Sequence, residues 1–131
     1  MPAKVATPTC TLHGVACVAT GIDLDLGNEV VHRDLIGAAD VLIVAREPKG
    51  EITIEAVPVA TKNWFAVADA GTRAALSLVH GTVAGNIVEL SAPNVQIIDP
   101  SYEAGNGVLL TKLGLRPCES AGDDDLTLIV R

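Results

Sequence analysis

Aromatic side chains are nearly absent from this sequence. They make up 2% of its 131 residues, and the only ones are Trp64, Phe65 and Tyr102. Proteins that hold bases or sugars by stacking need several exposed rings. The scarcity of rings therefore argues against a stacking site for nucleic acid or carbohydrate, and it means that Val, Ile, Leu and Ala must build the core.

Basic residues are also few, with 9 Lys and Arg against 16 Asp and Glu, which gives a formal net charge of −7. A protein that binds nucleic acid phosphates on its own normally carries the opposite sign. An acidic surface repels a polyanion, and this property is useful where a polyanion must pass without binding.

The sequence has no apolar run of the about 18 residues that a membrane-spanning helix requires, so no membrane association is expected. Its opening, MPAKVATPTC, lacks the basic region and apolar stretch of a secretory signal peptide. We therefore expect synthesis in a cytoplasm.

Only three cysteines are present, Cys10, Cys17 and Cys118, and they form no CxxC motif. A hairpin that turns at His13 and Gly14 places Cys10 opposite Cys17. Two alternatives stay open for this pair, a disulfide or reduced, half-buried thiols. We favour the thiols, because a reducing cytosol keeps cysteines reduced.

Recognisable catalytic and metal-binding motifs are lacking as well. The histidines at 13, 32 and 80 form no HxH or HxxxH pair, and the serines lie outside any GxSxG context. The glycine-rich segments lack the strand–loop–helix order of a phosphate-binding loop. The acidic cluster Asp123–Asp125 lacks the spacing of a calcium loop and is interpreted as a solvated loop. We expect no catalytic residue, no metal ligand and no cofactor, and hence no enzyme.

Short apolar segments separated by Gly, Pro, Asn and Asp fill most of the chain. They predict about eight to ten strands, in a mainly β fold that is a two-sheet β-sandwich or partly closed barrel with one short flanking α-helix. The clearest predicted hairpin pairs Val41–Arg46 with Glu51–Ala56. We further expect a strand to end at Pro93 and residues 100–108 to form a turn region.

The helix is predicted over 61–71, with Thr61 as its N-cap and a glycine after its C-terminus. Trp64, Phe65 and Ala68 are expected to form its packing face. A helix of about ten residues is marginal on its own, so we expect it to cover an open side of the sandwich.

In residues 27–40 the apolar side chains recur with neither the helical nor the strand period, and charged side chains lie among them. This pattern predicts a long loop or an extended hairpin arm. Apolar residues in such an arm are poorly accommodated in water and suggest contact with another copy. The candidate residues for this subunit contact are Asn28, Glu29, Val31, Arg33, Leu35 and Ile36.

In GIDLDLGN, Asp23 and Asp25 alternate with apolar residues, which predicts a half-buried strand with both carboxylates outward. A glycosidase would need its two carboxylates on different elements that face one cleft. We therefore interpret Asp23 and Asp25 as charges on an exposed or pore-facing surface.

The hydrophobic fraction is 49% and the mean hydropathy is +0.40, with Val41–Arg46 and Val108–Leu115 apolar on both faces. A sandwich of this size exposes one face of each sheet to water unless something covers it. Neighbouring copies in a closed ring would cover these faces and hide the sheet edges.

Five segments in succession carry a resemblance to a known family: DLGNEV, REPKGEITIEA, VATKNWFAVADAGTRAALSL, AGNIVELSAPNVQ and AGDDDLTL. Their order and spacing over residues 10–131 resemble the tail tube proteins of long-tailed bacteriophages, and more narrowly the C-terminal region of such subunits. Many members of the family are longer, so two alternatives stay open, a piece of a longer subunit or a short single-domain version.

The resemblance implies a β-sandwich with a helix on its flank, assembled side by side into six-fold or pseudo-six-fold rings. Strands of all subunits join into an inner β-barrel, rings stack into a tube, and arms reach neighbouring subunits. DNA passes through the lumen, which is often acidic, and the inner tube of type VI secretion systems shares this architecture.

For this chain the resemblance implies one tail-tube-like domain over 1–131 with a flexible segment at 1–9. The arm at 27–40 would contact other copies, and Asp23 and Asp25 would face the lumen. The partners would be further copies and other tail proteins, in a virion synthesised in a bacterial cytoplasm. Alternatives are another tail ring component, such as a terminator or baseplate ring, and an Ig-like module that binds a surface or a carbohydrate.

Overall fold

The computed structural model describes residues 9–131. Within this range the chain forms ten β-strands and one short α-helix, which confirms the mainly β fold class with two sheets and one flanking helix. The strands are β1 (Thr9–Leu12), β2 (Val15–Ala16), β3 (Ala19–Asp25), β4 (Asn28–Leu35), β5 (Ala38–Arg46), β6 (Lys49–Glu55), β7 (Arg73–His80), β8 (Val88–Gly105), β9 (Val108–Pro117) and β10 (Thr127–Val130). Helix α1 spans Trp64–Asp69. The predicted flexible segment 1–9 lies outside the described residues, apart from Thr9, which begins β1.

Eight strands form one antiparallel sheet in the order β2-β1-β7-β8-β9-β6-β3, and β10 pairs with β8 beside this path. Strands β2 and β3 stand at opposite ends of this order, yet only Cys17 and Val18 separate them along the chain. Two linking residues span at most about 11 Å. The two ends of the sheet must therefore approach each other, and the sheet curls into a partly closed barrel.

The inner face of the curled sheet carries the core. Its side chains are almost all aliphatic, and Trp64 is its only aromatic member among the described residues. Full burial of one Leu or Ile side chain stabilises the fold by about 1.5–3 kcal/mol. The buried hydrophobic residues are Cys10, Leu12, Ile52, Ile54, Trp64, Leu76, Ala92, Val95, Ile97, Leu113 and Leu115.

The helix begins later than predicted. Its N-cap is Asn63, whose side-chain oxygen accepts a hydrogen bond from the N–H of Ala66 at 3.1 Å. The predicted N-cap, Thr61, instead lies in a turn, where its N–H donates to the carbonyl oxygen of Pro58 at 2.8 Å. Both residue types cap helices well, and the later start places Trp64 in the first turn with its ring in the core.

The C-terminus of the helix has the predicted glycine. Gly71 has a φ of +61°, which costs a residue without a Cβ little. The N–H groups of Gly71 and Thr72 donate to the carbonyl oxygens of Ala68 and Val67 at 3.1 and 3.2 Å. These two bonds form a Schellman motif that satisfies carbonyls at the helix end.

The predicted hairpin of Val41–Arg46 with Glu51–Ala56 is wrong. The first segment belongs to β5 and pairs with β4, whereas the second belongs to β6 and lies between β3 and β9. A segment that is apolar on both faces has no alternation to show which face is buried, so its sequence specifies neither its partner strand nor its register.

The predicted strand end at Pro93 is also wrong, because β8 continues through it. Pro93 and Pro100 both lie at β-bulges, where the strand pairing shifts register. A residue at a bulge is not paired with the neighbouring strand, so the missing N–H of proline costs no hydrogen bond between strands there. The predicted turn region 100–108 is therefore mostly strand. Its actual turn is Asn106 and Gly107, with φ of +51° and +78°.

The first hairpin is confirmed in its turn and pairing. Strands β1 and β2 pair with Thr11 opposite Ala16, and the turn residues His13 and Gly14 have φ of +51° and +77°. Two central residues with positive φ are typical of the tight hairpin turns that match strand twist. The Sγ atoms of Cys10 and Cys17 lie 3.4 Å apart, and both residues are free thiols.

Candidate assembly surface

Strands β4 and β5 form a hairpin arm that runs from Asn28 to Arg46. It turns at Ile36 and Gly37, and the side chain of Ile36 is fully exposed at the tip. The two strands pack on each other, and neither packs extensively on another element. The arm is longer than the predicted segment 27–40, because β5 is part of it.

The six predicted subunit-contact residues lie in β4 or in the turn that follows it. Asn28 and Glu29 are at the base of the arm, next to a register shift after Glu29, and Ile36 is at the tip. The register places Val31, Arg33 and Leu35 on one face of the arm, opposite Leu42, Asp40 and Ala38. Their role in subunit contact stays a prediction.

Apolar residues of β5 extend this surface; the sequence analysis expected neighbouring copies to cover Val41–Arg46 but did not place that segment in the arm. The exposed fractions are 66% for Val41, 62% for Ile43 and 54% for Val44, while Leu42 is 40% exposed. Since Leu42 faces the side opposite to Val41 and Ile43, both faces of the arm present apolar side chains. The signal is visible in the sequence as a run that is apolar on both faces.

An ion pair attaches the base of the arm to the body. Arg46 lies at the end of β5, and its Nη2 atom is 2.7 Å from Oδ1 of Asp125 and 3.4 Å from Oδ1 of Asp123. The side chain of Asp125 is 6% exposed, whereas that of Asp123 is 97% exposed. The loop after β9 thus supplies a buried carboxylate that holds Arg46.

Strand β10 is a second exposed apolar surface. It pairs with β8 from Thr127 opposite Ser91 to Val130 opposite Val88, and no other described strand pairs with its second edge. The exposed fractions are 63% for Leu128, 38% for Ile129 and 67% for Val130. An open strand edge flanked by apolar side chains is a template for pairing with another chain.

Asp23 and Asp25 lie on the outer face of the sheet, and both are exposed, while Ile22 and Leu24 pack against the core. The two aspartates line an open groove of about 820 Å³ over β3, β6, β8 and β9. The charged residues of this acidic groove are Asp23, Asp25, Glu51, Asp99, Lys49 and Lys112. Four carboxylates against two ammonium groups leave the groove net negative.

Within the acidic groove one ion pair is formed. The Nζ atom of Lys112 lies 3.0 Å from Oε1 of Glu51, and this hydrogen bond together with the charge of Glu51 raises the pKa of Lys112. The ammonium group of Lys112 is therefore paired with Glu51. Asp23 and Asp25 remain exposed to solvent.

The three predicted helix-packing residues have different surroundings. Trp64 is 3% exposed and lies in the core, and Ala68 is half-buried and packs against that core. Phe65 lies outside the core with 41% of its surface exposed, and its ring centroid is 5.2 Å from that of Tyr102. The helix therefore covers the core through one side and contacts the far part of β8 through Phe65.

A histidine that no sequence pattern marks as important links the first turn to the body. The Nε2 atom of His13 is 2.7 Å from the carbonyl oxygen of Val95, and its backbone N–H donates to Ala75 at 2.9 Å. Its ring meets that of Trp64 edge-on at 6.2 Å between centroids. Burial lowers the pKa of His13, the charge of Lys62 lowers it further, and the bond to Val95 partly opposes both effects.

Among residues 9–131, no group of three or more His, Cys, Asp or Glu side chains is arranged to hold a metal ion. In the same range, no helix has the length and apolar character needed to cross a membrane. Three surfaces stand out among the described residues: the arm, the β10 edge and the acidic groove.

Comparison with known proteins gives a structural likeness. No protein-family model matches the sequence, and no curated protein matches it in sequence. A solved structure with the same fold is the tube-terminating cap of the anti-feeding prophage, determined by cryo-EM. The TM-score is 0.67 at 14% sequence identity, and the match covers 100% of this chain and 93% of that chain. The two proteins therefore share their fold over nearly their whole lengths.

Proposed function

We propose that this chain is a structural component of a phage-tail-like particle and that it assembles with further copies of itself through the hairpin arm. The fold match to a tube-terminating cap supports the first part, because it covers the whole of this chain. The sequence resemblance to tail tube proteins points to the same class of particle. The proposed role is one of assembly and not of catalysis.

The observation that carries the assembly proposal is the exposure of the arm. A two-stranded hairpin without a third strand or a helix against it is at best marginally stable in water. This arm also exposes Val41, Ile43 and Val44 on β5 and Leu35 and Ile36 near its tip. Contact with a neighbouring copy would bury these side chains and stabilise the hairpin at the same time.

The β10 edge supplies a second, different surface. A ring forms when one surface of each subunit contacts a different surface on the next subunit and the rotation closes. The arm and the β10 edge have the properties that such a head-to-tail contact needs, since both expose apolar side chains and open strand edges. We propose six-fold or pseudo-six-fold rings, as in the family that the sequence resembles.

The acidic groove is the proposed lumen surface. Its four carboxylates and two lysines leave it net negative, and the chain as a whole carries −7. A negative wall repels DNA phosphates, so DNA would pass through the ring without being held. In this arrangement Asp23 and Asp25 face the lumen, and other tail proteins contact the outer parts of the ring.

Two members of the tail-component class are candidates. A tube subunit stacks ring upon ring, as the sequence resemblance implies. A terminator adds a single ring at the end of a tube, and the fold match to a tube-terminating cap favours this second candidate. Both require self-association, and they differ in whether purified rings stack.

Negative-stain electron microscopy and light scattering of the purified chain over a concentration series test the proposal. We expect rings with a central hole that form with increasing concentration. Stacked tubes would identify a tube subunit, and single rings a terminator. A chain that stays monomeric at all concentrations, and whose melting temperature rises with a carbohydrate or surface ligand, would instead be a binding module.

A matched pair of variants tests the arm. Leu35→Asp and Ile36→Asp together place two charges at its tip, and we expect them to abolish rings while leaving the melting temperature within a few degrees of the wild type. Val59→Asp is the control, since Val59 is 58% exposed and lies outside the arm. If the arm variant formed rings as the wild type does, the assignment of the arm would be wrong.

A further inference from the structure

Cys10 and Cys17 are direct neighbours across the first hairpin. With Thr11 opposite Ala16, the register places Cys10 opposite Cys17, and the N–H of Cys17 donates to the carbonyl oxygen of Cys10 at 3.0 Å. Their Sγ atoms are 3.4 Å apart. Cys118, in contrast, has its Sγ atom 3.5 Å from the carbonyl oxygen of Arg116 and lies in the loop after β9.

The backbone already has a spacing that a disulfide accepts. Residues of a hydrogen-bonded antiparallel pair have Cα atoms about 5.5 Å apart, within the range of about 4.4–6.8 Å seen for disulfides. The sulfur atoms must approach by about 1.4 Å from their present 3.4 Å to reach bonding distance. We expect rotation of the two side chains to cover this distance while the strand pairing stays as it is.

The two thiols differ in access. Cys10 is 8% exposed and belongs to the core cluster, whereas Cys17 is half-buried at the end of the hairpin. The hydrogen bond between the two Sγ atoms lowers the pKa of Cys10 and raises the pKa of Cys17, and burial raises the pKa of Cys17 further. A reagent in solution therefore reaches the sulfur of Cys17 first. The sulfur of Cys10 is close enough to displace a group that becomes attached to Cys17.

We propose that Cys10 and Cys17 are a redox-modification site at which a small disulfide such as glutathione disulfide forms an intramolecular disulfide. One proton of the pair is lost to solvent base and the other is held by Cys10, so the more accessible Sγ of Cys17 attacks one sulfur of the reagent as the thiolate, which gives a mixed disulfide and releases one glutathione thiolate. The thiolate of Cys10 then attacks Sγ of Cys17 and releases the second. The two cysteines lose two protons and two electrons, and the reagent is reduced to two glutathione thiols.

The position of the pair gives this bond a structural effect. Cys17 is the first of the two residues that connect β2 to β3, and these strands stand at opposite ends of the sheet. A disulfide would tie this link to β1 and so fix the seam at which the curled sheet nearly closes. This chemistry is independent of the proposed function, because it needs only the folded chain and an oxidant.

The test is to incubate the folded chain with glutathione disulfide at about pH 8, where thiols begin to ionise, and then to alkylate the remaining thiols. We expect an intact mass that has lost two hydrogen atoms, one alkylated thiol at Cys118, and a peptide that joins Cys10 to Cys17. The disulfide restricts the unfolded chain and should raise the melting temperature. Because the loop that it closes is short, we expect a moderate rise of about 5–10 °C, which is lost again after reduction.

Two variants separate this site from general thiol oxidation. Cys118→Ser should form the same bond and show the same thermal shift. Cys17→Ser should show neither, and circular dichroism checks that it is folded. The proposal is overturned if the folded wild-type chain alkylates at all three cysteines after oxidation, or if glutathione stays attached to Cys17 and no bond to Cys10 forms.

Discussion

The imidazole Nε2 atom of His13 lies 2.7 Å from the carbonyl oxygen of Val95, a residue 82 positions further along the chain. A carbonyl oxygen only accepts hydrogen bonds, so Nε2 must carry the proton. The Nδ1 atom is buried and has no hydrogen-bond partner among the described residues. A second proton on the ring would therefore be buried without an acceptor, which is unfavourable.

We expect the free energy of unfolding to decrease as the pH falls below about 6.5. The pKa of His13 in the folded chain is below its ordinary value of 6.5. In the window between these two values the unfolded chain binds more protons, so stability rises with pH and is fully present above about 6.5. Urea unfolding at about pH 5 and about pH 7.5 measures this slope.

His13→Asn isolates the contribution of the imidazole, because asparagine tolerates the positive φ of this turn position. At about pH 7.5 the variant should be less stable by about 1 kcal/mol, the typical value of one hydrogen bond. Its stability should change less between the two pH values than that of the wild type. His80→Asn is the control at an exposed position, and an unchanged slope in His13→Asn would assign the titration to another group.

The adjacent residues Trp64 and Phe65 should respond very differently to truncation. Trp64→Ala removes a side chain that is 3% exposed and opens a cavity in a core with few large residues, so we expect a loss of about 3–5 kcal/mol. Phe65→Ala removes a 41% exposed ring whose neighbour is Tyr102, with an expected loss of about 1 kcal/mol. Denaturant unfolding of both variants gives the comparison, and equal losses would contradict the assignment of Trp64 as the core residue of the helix.

The two aspartates beside Arg46 form a second matched pair. Asp125→Asn removes the charge of a buried carboxylate 2.7 Å from the guanidinium, and we expect it to cost about 1–3 kcal/mol. Asp123→Asn acts on a 97% exposed carboxylate and should cost less than about 0.5 kcal/mol.

Limited proteolysis gives this pair a second measurement. Loss of the Arg46–Asp125 pair loosens the base of the arm, so cleavage within 28–46 should become faster in Asp125→Asn than in Asp123→Asn. Faster cleavage spread over the whole chain would mean that the body, and not the arm, depends on Asp125.

Features that depend on neighbouring residues along the chain could be predicted from the sequence. The alternation in GIDLDLGN correctly places Ile22 and Leu24 toward the core, and the His13-Gly14 turn and the glycine after the helix are where their local chemistry indicates. In each case the cause is a side-chain period or a backbone angle within a few residues.

Features set by distant residues could not be predicted in this way. The continuation of β8 through Pro93 depends on a bulge against β7. The segment Val41–Arg46 pairs with the strand before it and not with the strand after it, and its sequence pattern is compatible with either. The burial of His13 depends on Val95, far along the chain. For the candidate surfaces, the sequence indicates exposed carboxylates and an apolar arm, but the extent of the arm follows only from the pairing of β4 with β5.

The strand order has a consequence for synthesis on the ribosome. Strand β1 pairs with β7, and β3 pairs with β6, which in turn needs β9 on its other side. The first half of the chain therefore emerges with its edges open and waits for β9. At a rate of about 5–20 residues per second, the interval between the end of β6 and the end of β9 lasts about 3–12 s. During this time the exposed strands of neighbouring nascent chains on the same mRNA are potential pairing partners. We therefore expect mispairing between nascent chains to increase when ribosomes are closely spaced on that mRNA.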